Sequence, residues 1–190
     1  GKGNMVDPDC FTETVVLTER NAHVEYPTKC DYTRIHNNDD VVRIAVNANL
    51  CKINYQLISA CSRLRKLSKK KVEFVFFPAC TGFVYQAFKL ELNEHLEATV
   101  HPNTDYSIYI DNLRSCDFVL NPFPFGNTNG IADAVRIGLP FVCMDGREVH
   151  SHADVELSQR LGLPEFCQAQ DIDGYVDAAL KLTEDAELRE

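Results

Sequence analysis

The sequence predicts an α/β fold, a doubly wound parallel sheet with helices on both faces. Three observations carry that reading. Five short apolar runs of strand length recur along the chain. Segments with helical spacing of apolar residues separate them, which is the alternation of βαβ units. The polar and small residues that break the pattern collect after the strands, the edge at which open α/β sheets bind ligands.

The regular pattern begins at Val41. Val41–Val46 is an apolar run suited to a strand buried on both faces. Asn54–Lys70 carries Leu57, Ile58, Cys61, Leu64 and Leu67 at helical spacing and ends in a basic tail, which suits a helix C-terminus on a solvated face. Val72–Phe77 is a second strand, stopped by Pro78. Phe83–Leu96 is a helix that presents Val84, Phe88, Leu92 and Leu96 on one face, and Ala98–Val100 is a short third strand. Asp105–Arg114 is a helix with Ile108, Tyr109 and Leu113 inward, followed by a strand at Cys116–Leu120. A loop leads to a helix at Ile131–Ile137, closed by Gly138, and to a fifth strand at Pro140–Met144. Ser151–Leu161 is helical with Gly162 as its C-terminal stop, and Asp173–Leu182 is the last helix. Residues 1–40 are irregular, with a possible strand at Thr14–Thr18 and a polar loop over Tyr26–Asp40. They read as a lead-in or the end of a preceding domain, and residues 41–190 as the domain proper.

Composition narrows the class. In 190 residues, 45% are hydrophobic, enough for a sizeable core. The net charge of −9 argues against phosphate-backbone affinity for nucleic acid. No apolar run approaches the ~20 residues of a membrane span, and the first residues lack an apolar signal region. Eight cysteines are evenly spread, without CxxC spacing. They read as free thiols in a reducing, cytoplasmic setting rather than as a disulfide frame or zinc site.

The candidate site residues follow the strands. Asn121-Pro122-Phe123-Pro124-Phe125-Gly126-Asn127-Thr128-Asn129-Gly130 contains prolines, glycines and helix-capping residues just ahead of a helix. Such a turn is either a well-capped connection or a seat for an anion, because free amides and the helix dipole face outward there. Lys52 opposes the dipole at a helix start unless an anion compensates it. On residue type alone the surface lysine is the better of the two readings. Asp133 near the first turn of the next helix suits either the dipole or a ribose diol. His101, beside Pro102 and Asn103, is a candidate general base or phosphate contact. His150 and His152 diverge on a helix, so they do not suggest a metal pair. Neither Gly-x-Gly-x-x-Gly nor a P-loop is present.

The ten-residue loop from Asn121 to Gly130, with Asp133, Gly146–His152, Arg160–Pro164 and the Cys51-Lys52-Ile53-Asn54 segment, strongly resembles the HMW1C-like bacterial protein N-glucosyltransferases, relatives of the O-linked N-acetylglucosamine transferases. The resemblance spans about residues 41 to 170. It implies the C-terminal, nucleotide-sugar-binding half of a GT-B glycosyltransferase. By that resemblance Lys52 and His101 are the candidate catalytic residues. Lys52, Asn103, Phe125, Gly126, Asn127, Thr128, Asn129, Gly130 and Asp133 bind the UDP-sugar. Lys52 and the backbone of Asn127–Gly130 take the diphosphate, and Asp133 the ribose. The implied reaction is inverting transfer of glucose from UDP-glucose to asparagine in Asn-x-Ser/Thr sequons of an acceptor protein. It needs no metal or other cofactor. The family's histidine in the third exit loop corresponds to Asn103 here, with His101 two positions earlier. Family members are several times longer and carry an acceptor domain and a first Rossmann half. The resemblance therefore implies a donor half that is inactive alone, and the alternative is a stand-alone nucleotide-sugar-binding module.

Overall fold

The computed structural model describes residues 12, 14, 29–36, 40–146 and 148–190, with Val149 described by its backbone alone. But for Thr14, the possible strand at Thr14–Thr18 lies outside them. Six strands run β1 (Val41–Val46), β2 (Lys71–Phe76), β3 (Ala98–Val100), β4 (Phe118–Leu120), β5 (Phe141–Met144) and β6 (Gln168–Ala169). All pairs are parallel, in the order β3-β2-β1-β4-β5-β6. The sixth strand was not expected from the sequence. It has two residues, and a strand that short leaves no apolar run to read.

The helices are α1 (Tyr55–Leu67), α2 (Gly82–His95), α3 (Tyr106–Leu113), α4 (Thr128–Ile137), α5 (Val149–Arg160) and α6 (Ile172–Glu184). Alternate side chains of each strand feed the two faces of the sheet. Val42, Ile44, Val46, Phe74 and Phe76 pack with Leu57, Cys61 and Leu64 of α1, Leu92 of α2 and Tyr175 of α6. Ala45, Val75, Val119 and Phe141 pack with Ile110 of α3, Ile131 of α4 and Val155 of α5. Burial on both faces is why the strands read as unbroken apolar runs.

Four expectations are corrected. In α2, Val84 is exposed and only Leu92 is buried within the helix, with Leu96 buried just beyond it. In α3, Ile110 rather than Ile108 faces the core, because Ile110 and Leu113 lie on one face while Ile108 points to solvent. α1 ends at Leu67, so Lys69 and Lys70 lie in the turn and Lys71 opens β2. α4 begins at Thr128 rather than Ile131. The stop after α5 is as read, with Gly162 at φ +71° and its amide donating to Gln159 O. No helix of the described residues is long and apolar enough to cross a membrane.

Residues 29–36 lie as an extended strap across the α3 and α4 side of the domain. Arg34 donates to the carbonyls of Arg189 (2.7 Å) and Asp117 (3.1 Å). Arg114 donates to Thr33 O (3.2 Å) and pairs with Asp31 (3.1 Å), and Ile35 N donates to Arg114 O (2.9 Å). Cys30 and Tyr32 rest against the second core cluster.

The core reaches the loop after β4 through Tyr175. Its ring meets Phe123 edge-on at 4.8 Å, and its hydroxyl donates to Asn121 O at 2.7 Å. Both residues are fully buried. Tyr175→Phe leaves that carbonyl without its donor and is expected to lower stability by about 1–2 kcal/mol, read as a shifted urea midpoint at unchanged m-value.

Among the described cysteines all are free, and Cys61, Cys116, Cys143 and Cys167 are buried. Burial pushes the Cys61 thiol up to about 12 and that of Cys167 to about 11, which keeps both protonated and unreactive near neutrality. Cys80 is half-exposed and Cys51 is exposed.

Candidate functional site at the switch point

β1 and β4 are neighbours in the sheet, yet the chain leaves them toward opposite faces, to α1 after β1 and to α4 after β4. A crevice must open between the two departing segments. A cleft of ≈ 330 Å³ lies there. Its walls come from the exit of β1 (Asn47, Asn49), the exit of β2 (Phe77, Ala79), the exit of β3 (His101, Asn103), α3 (Tyr106, Tyr109) and the start of α4.

Six of the sequence-predicted residues line this cleft: His101, Asn103, Asn127, Asn129, Gly130 and Asp133. The other four, Lys52, Phe125, Gly126 and Thr128, do not line it and group beside it. Lys52 ends a short 3₁₀ turn (Leu50–Lys52) rather than starting α1, whose N-cap is Asn54. Its Nζ donates to Gly126 O at 2.7 Å and lies 5.0 Å from the centre of the Phe125 ring. His150 stacks on the other partner of that group, Phe125, at 4.6 Å. His152 instead pairs with Asp145 at 2.8 Å. The two histidines diverge as expected. Among the described residues, the grouping with ligand atoms close enough for a metal is Glu91, Glu94 and His95, exposed on α2 and outside the cleft.

The turn before α4 is built differently from the sequence reading. Asn127 holds the N-cap position, but its side chain makes no cap bond. It donates across the crevice to Asn47 O, and Asn47 Nδ2 in turn donates to Tyr109 OH at 2.5 Å. These bonds tie the β4 exit to the β1 exit and to α3. Gly130 is required beneath them. A Cβ there would lie 2.5 Å from Asn47 Nδ2 and nearer still to Asn127 Nδ2.

The anion seat at the turn is also partly filled from within. Asp154 of α5, 2% exposed, accepts from Asn127 N at 2.7 Å, Thr128 Oγ1 at 3.2 Å and Asn121 Nδ2 at 3.4 Å. Burial raises its carboxyl above the ordinary value, opposed by the Asn127 amide, Thr128 and the charge of Lys52. The Asn127 amide therefore serves the protein's own carboxylate. The amides of Thr128, Asn129 and Gly130, in the first turn of α4, have no carbonyl partner inside the helix.

Across the cleft, Asp133 accepts from Tyr106 OH at 2.6 Å. Burial raises its carboxyl, and hydrogen bonds from Tyr106 and Tyr109 with the nearby Arg136 work against that rise. Both tyrosines are shifted up, by burial and then by their interaction with Asp133. His101 stacks on Phe77 at 5.2 Å, and burial lowers its pKa below the ordinary 6.5. The neutral imidazole dominates at pH 7. Ala79 lines the cleft at φ +54°, a left-handed backbone for a residue with a Cβ.

Asp154, Tyr106 and Tyr109 were not singled out from the sequence. Asp154 sits in a polar helix with nothing nearby to mark it. The two tyrosines stand at spacing that reads as helix face. Their roles arise from neighbours 26 to 62 positions away in the chain.

No protein-family model matches the chain. Two curated relatives, the UDP-glucose:protein N-beta-glucosyltransferases of Actinobacillus pleuropneumoniae serotype 5b (strain L20) and serotype 7 (strain AP76), are each 38% identical to it, over 189 and 188 residues. The alignments cover 95% of this chain and 30% of each relative. Among solved structures, a lysine-to-methionine variant of the Thermobaculum terrenum O-GlcNAc transferase superposes with a TM-score of 0.72 at 16% identity, over 86% of this chain and 33% of its own. A lipopolysaccharide outer core galactosyltransferase superposes with a TM-score of 0.50 at 10% identity, over 85% of this chain and 46% of its own. At such identities the likeness speaks to fold, and the fold is the Rossmann-like half of a GT-B glycosyltransferase. By sequence, the chain is similar over 95% of its length to the protein N-glucosyltransferases of the HMW1C-like kind, and it spans about a third of the length of the curated relatives it matches.

Proposed function

We propose that this chain binds UDP-glucose as the donor half of an inverting, metal-independent glycosyltransferase. The transfer is of glucose to the amide nitrogen of asparagine in Asn-x-Ser/Thr sequons, and it needs a facing Rossmann half. The observation that carries this reading is the cleft at the β1/β4 switch point, where Asp133, the first turn of α4 and the aromatic wall of α3 converge. The activity of the relatives, UDP-glucose:protein N-beta-glucosyl transfer, supports the choice of donor and acceptor class.

The assignments follow from what each group can do. Asp133, which accepts from Tyr106, has lone pairs left for the ribose hydroxyls. The amides of Thr128, Asn129 and Gly130 and the dipole of α4 face the diphosphate. Lys52 turns from Gly126 O, an uncharged acceptor, to the phosphates. With those amides it neutralises the charge that grows on UDP as the glycosidic bond breaks, so the donor's leaving group is stabilised by protein groups. His101, uncharged at pH 7, is a cleft group able to take a proton.

Calorimetric titration with UDP and UDP-glucose, with and without EDTA, tests the reading. Binding that EDTA leaves unchanged is expected. Lys52→Ala and Asp133→Ala are each expected to weaken UDP binding by about 10- to 100-fold, the range for losing a charge-assisted hydrogen bond. No binding at millimolar UDP would sink the donor role, and loss on adding EDTA would sink metal independence. Two variants that bind like the parent would remove the residue assignments.

A further inference from the structure

One chain of hydrogen bonds runs from the strap into the cleft. Tyr106 OH donates to Asp133 Oδ1 at 2.6 Å. With that bond made, the single hydroxyl hydrogen of Tyr106 is spent there. The 3.3 Å contact between Tyr32 OH and Tyr106 OH must then have Tyr32 as donor. The relay is Tyr32 to Tyr106 to Asp133, each bond polarising the next.

Its outer end is fixed independently of the cleft. Arg34 and Arg114 clamp the strap on either side of Tyr32 by bonds to Arg189, Asp117, Thr33 and Asp31. The Arg136 guanidinium lies 5.7 Å from the centre of the Tyr32 ring, a further hold on the ring. Arg136 stands one turn beyond Asp133 on α4. The strap therefore aims Tyr32, Tyr32 aims the Tyr106 oxygen, and Tyr106 holds one oxygen of Asp133 while the carboxylate still lines the cleft.

We propose that Tyr32 and Tyr106 are positioning residues that set the Asp133 carboxylate for a ribose diol, so that the strap ahead of the sheet takes part in donor recognition. This inference rests on the reading of Asp133 as the ribose contact. Neither tyrosine needs to touch the nucleotide. Their effect is to remove the freedom of the Asp133 side chain, so that its remaining lone pairs meet both hydroxyls together.

The test compares UDP with 2′,3′-dideoxy-UDP in calorimetric titrations of the parent, Tyr106→Phe and Tyr32→Phe. The thermal midpoint of each is followed alongside. The parent is expected to favour UDP. In Tyr106→Phe, UDP affinity is expected to fall about tenfold, while 2′,3′-dideoxy-UDP affinity stays within about twofold of the parent. Tyr32→Phe is expected to show the same selective loss at about threefold. A purely structural role would weaken both ligands alike, and equal losses would overturn the inference. A parent that favours UDP and variants that keep its full preference would overturn the inference alone. A parent that binds both ligands equally would overturn the ribose reading and the inference with it.

Discussion

Replacing Asp154 with alanine is expected to lower the unfolding free energy by about 2–4 kcal/mol, a large share of a domain's stability. The carboxylate is the common acceptor for Asn127 N, Thr128 Oγ1 and Asn121 Nδ2. Removing it strands three donors, of which the Asn121 amide is fully buried, at about 1–3 kcal/mol for each that water cannot reach. One term opposes the loss, since the buried charge disappears as well. Asp154→Asn should cost less than alanine, because its amide oxygen still accepts from Asn127 N. Urea unfolding at pH 7 measures both, and a midpoint for Asp154→Ala equal to the parent's would contradict this account.

The pH dependence has a definite sign. Burial raises the folded-state pKa of Asp154 above the ordinary aspartate value of 3.8, so the folded chain binds this proton more tightly than the unfolded chain. Its contribution to stability is most favourable below 3.8 and declines as pH rises through the raised folded value. Asp154→Asn should lack that decline. The difference between the parent and Asp154→Asn, followed across the acid range, isolates it from Asp133, whose carboxyl is raised too.

Gly126→Ala is the second large effect, expected at about 2–3 kcal/mol. A Cβ at Gly126 would lie 2.5 Å from Asp154 Cγ and 2.8 Å from its Oδ1, nearer still to Oδ2. Asp154 has to withdraw, and withdrawing breaks its bond to Asn127 N. The Gly126 carbonyl that receives Lys52 moves with it, so UDP binding should weaken in the same variant. The cause is contact with one side chain, which gives a sharp check. In an Asp154→Ala background, the three atoms nearest to the added methyl group are gone. The double variant should therefore be more stable than the sum of the two losses by at least about 1 kcal/mol. Strict additivity would mean that Gly126 is needed for some other reason.

These two residues show where sequence reading reached and where it stopped. The loop from Asn121 to Gly130 was legible as a strand-to-helix connection, either a well-capped turn or a seat for an anion, because prolines, glycines and capping residues between a strand and a helix leave few alternatives. Gly126 was legible as part of it. What lies against Gly126 was not, because Asp154 belongs to a polar helix and has no local signature. The same holds for the helix faces. Leu57, Cys61 and Leu64 lie at helical spacing and are buried, whereas Val84 and Ile108 fit their patterns and are exposed. Periodicity identifies a helix but does not say which arc meets the sheet.

By itself the sequence determined the class of fold and the edge of the sheet at which the candidate site residues lie, and it carried the family resemblance. Each rests on local information: apolar runs set by burial on both faces, breakers that stop them, and a loop of rare composition. Only the tertiary structure decided how the site is assembled. It brings Asp133 under Tyr106, places Asp154 where the Asn127 amide would otherwise meet an anion, and joins Asn127 to Asn47 across the crevice. Those pairings link residues far apart in the chain, and their geometry follows from how α3, α4 and α5 pack on one face of the sheet.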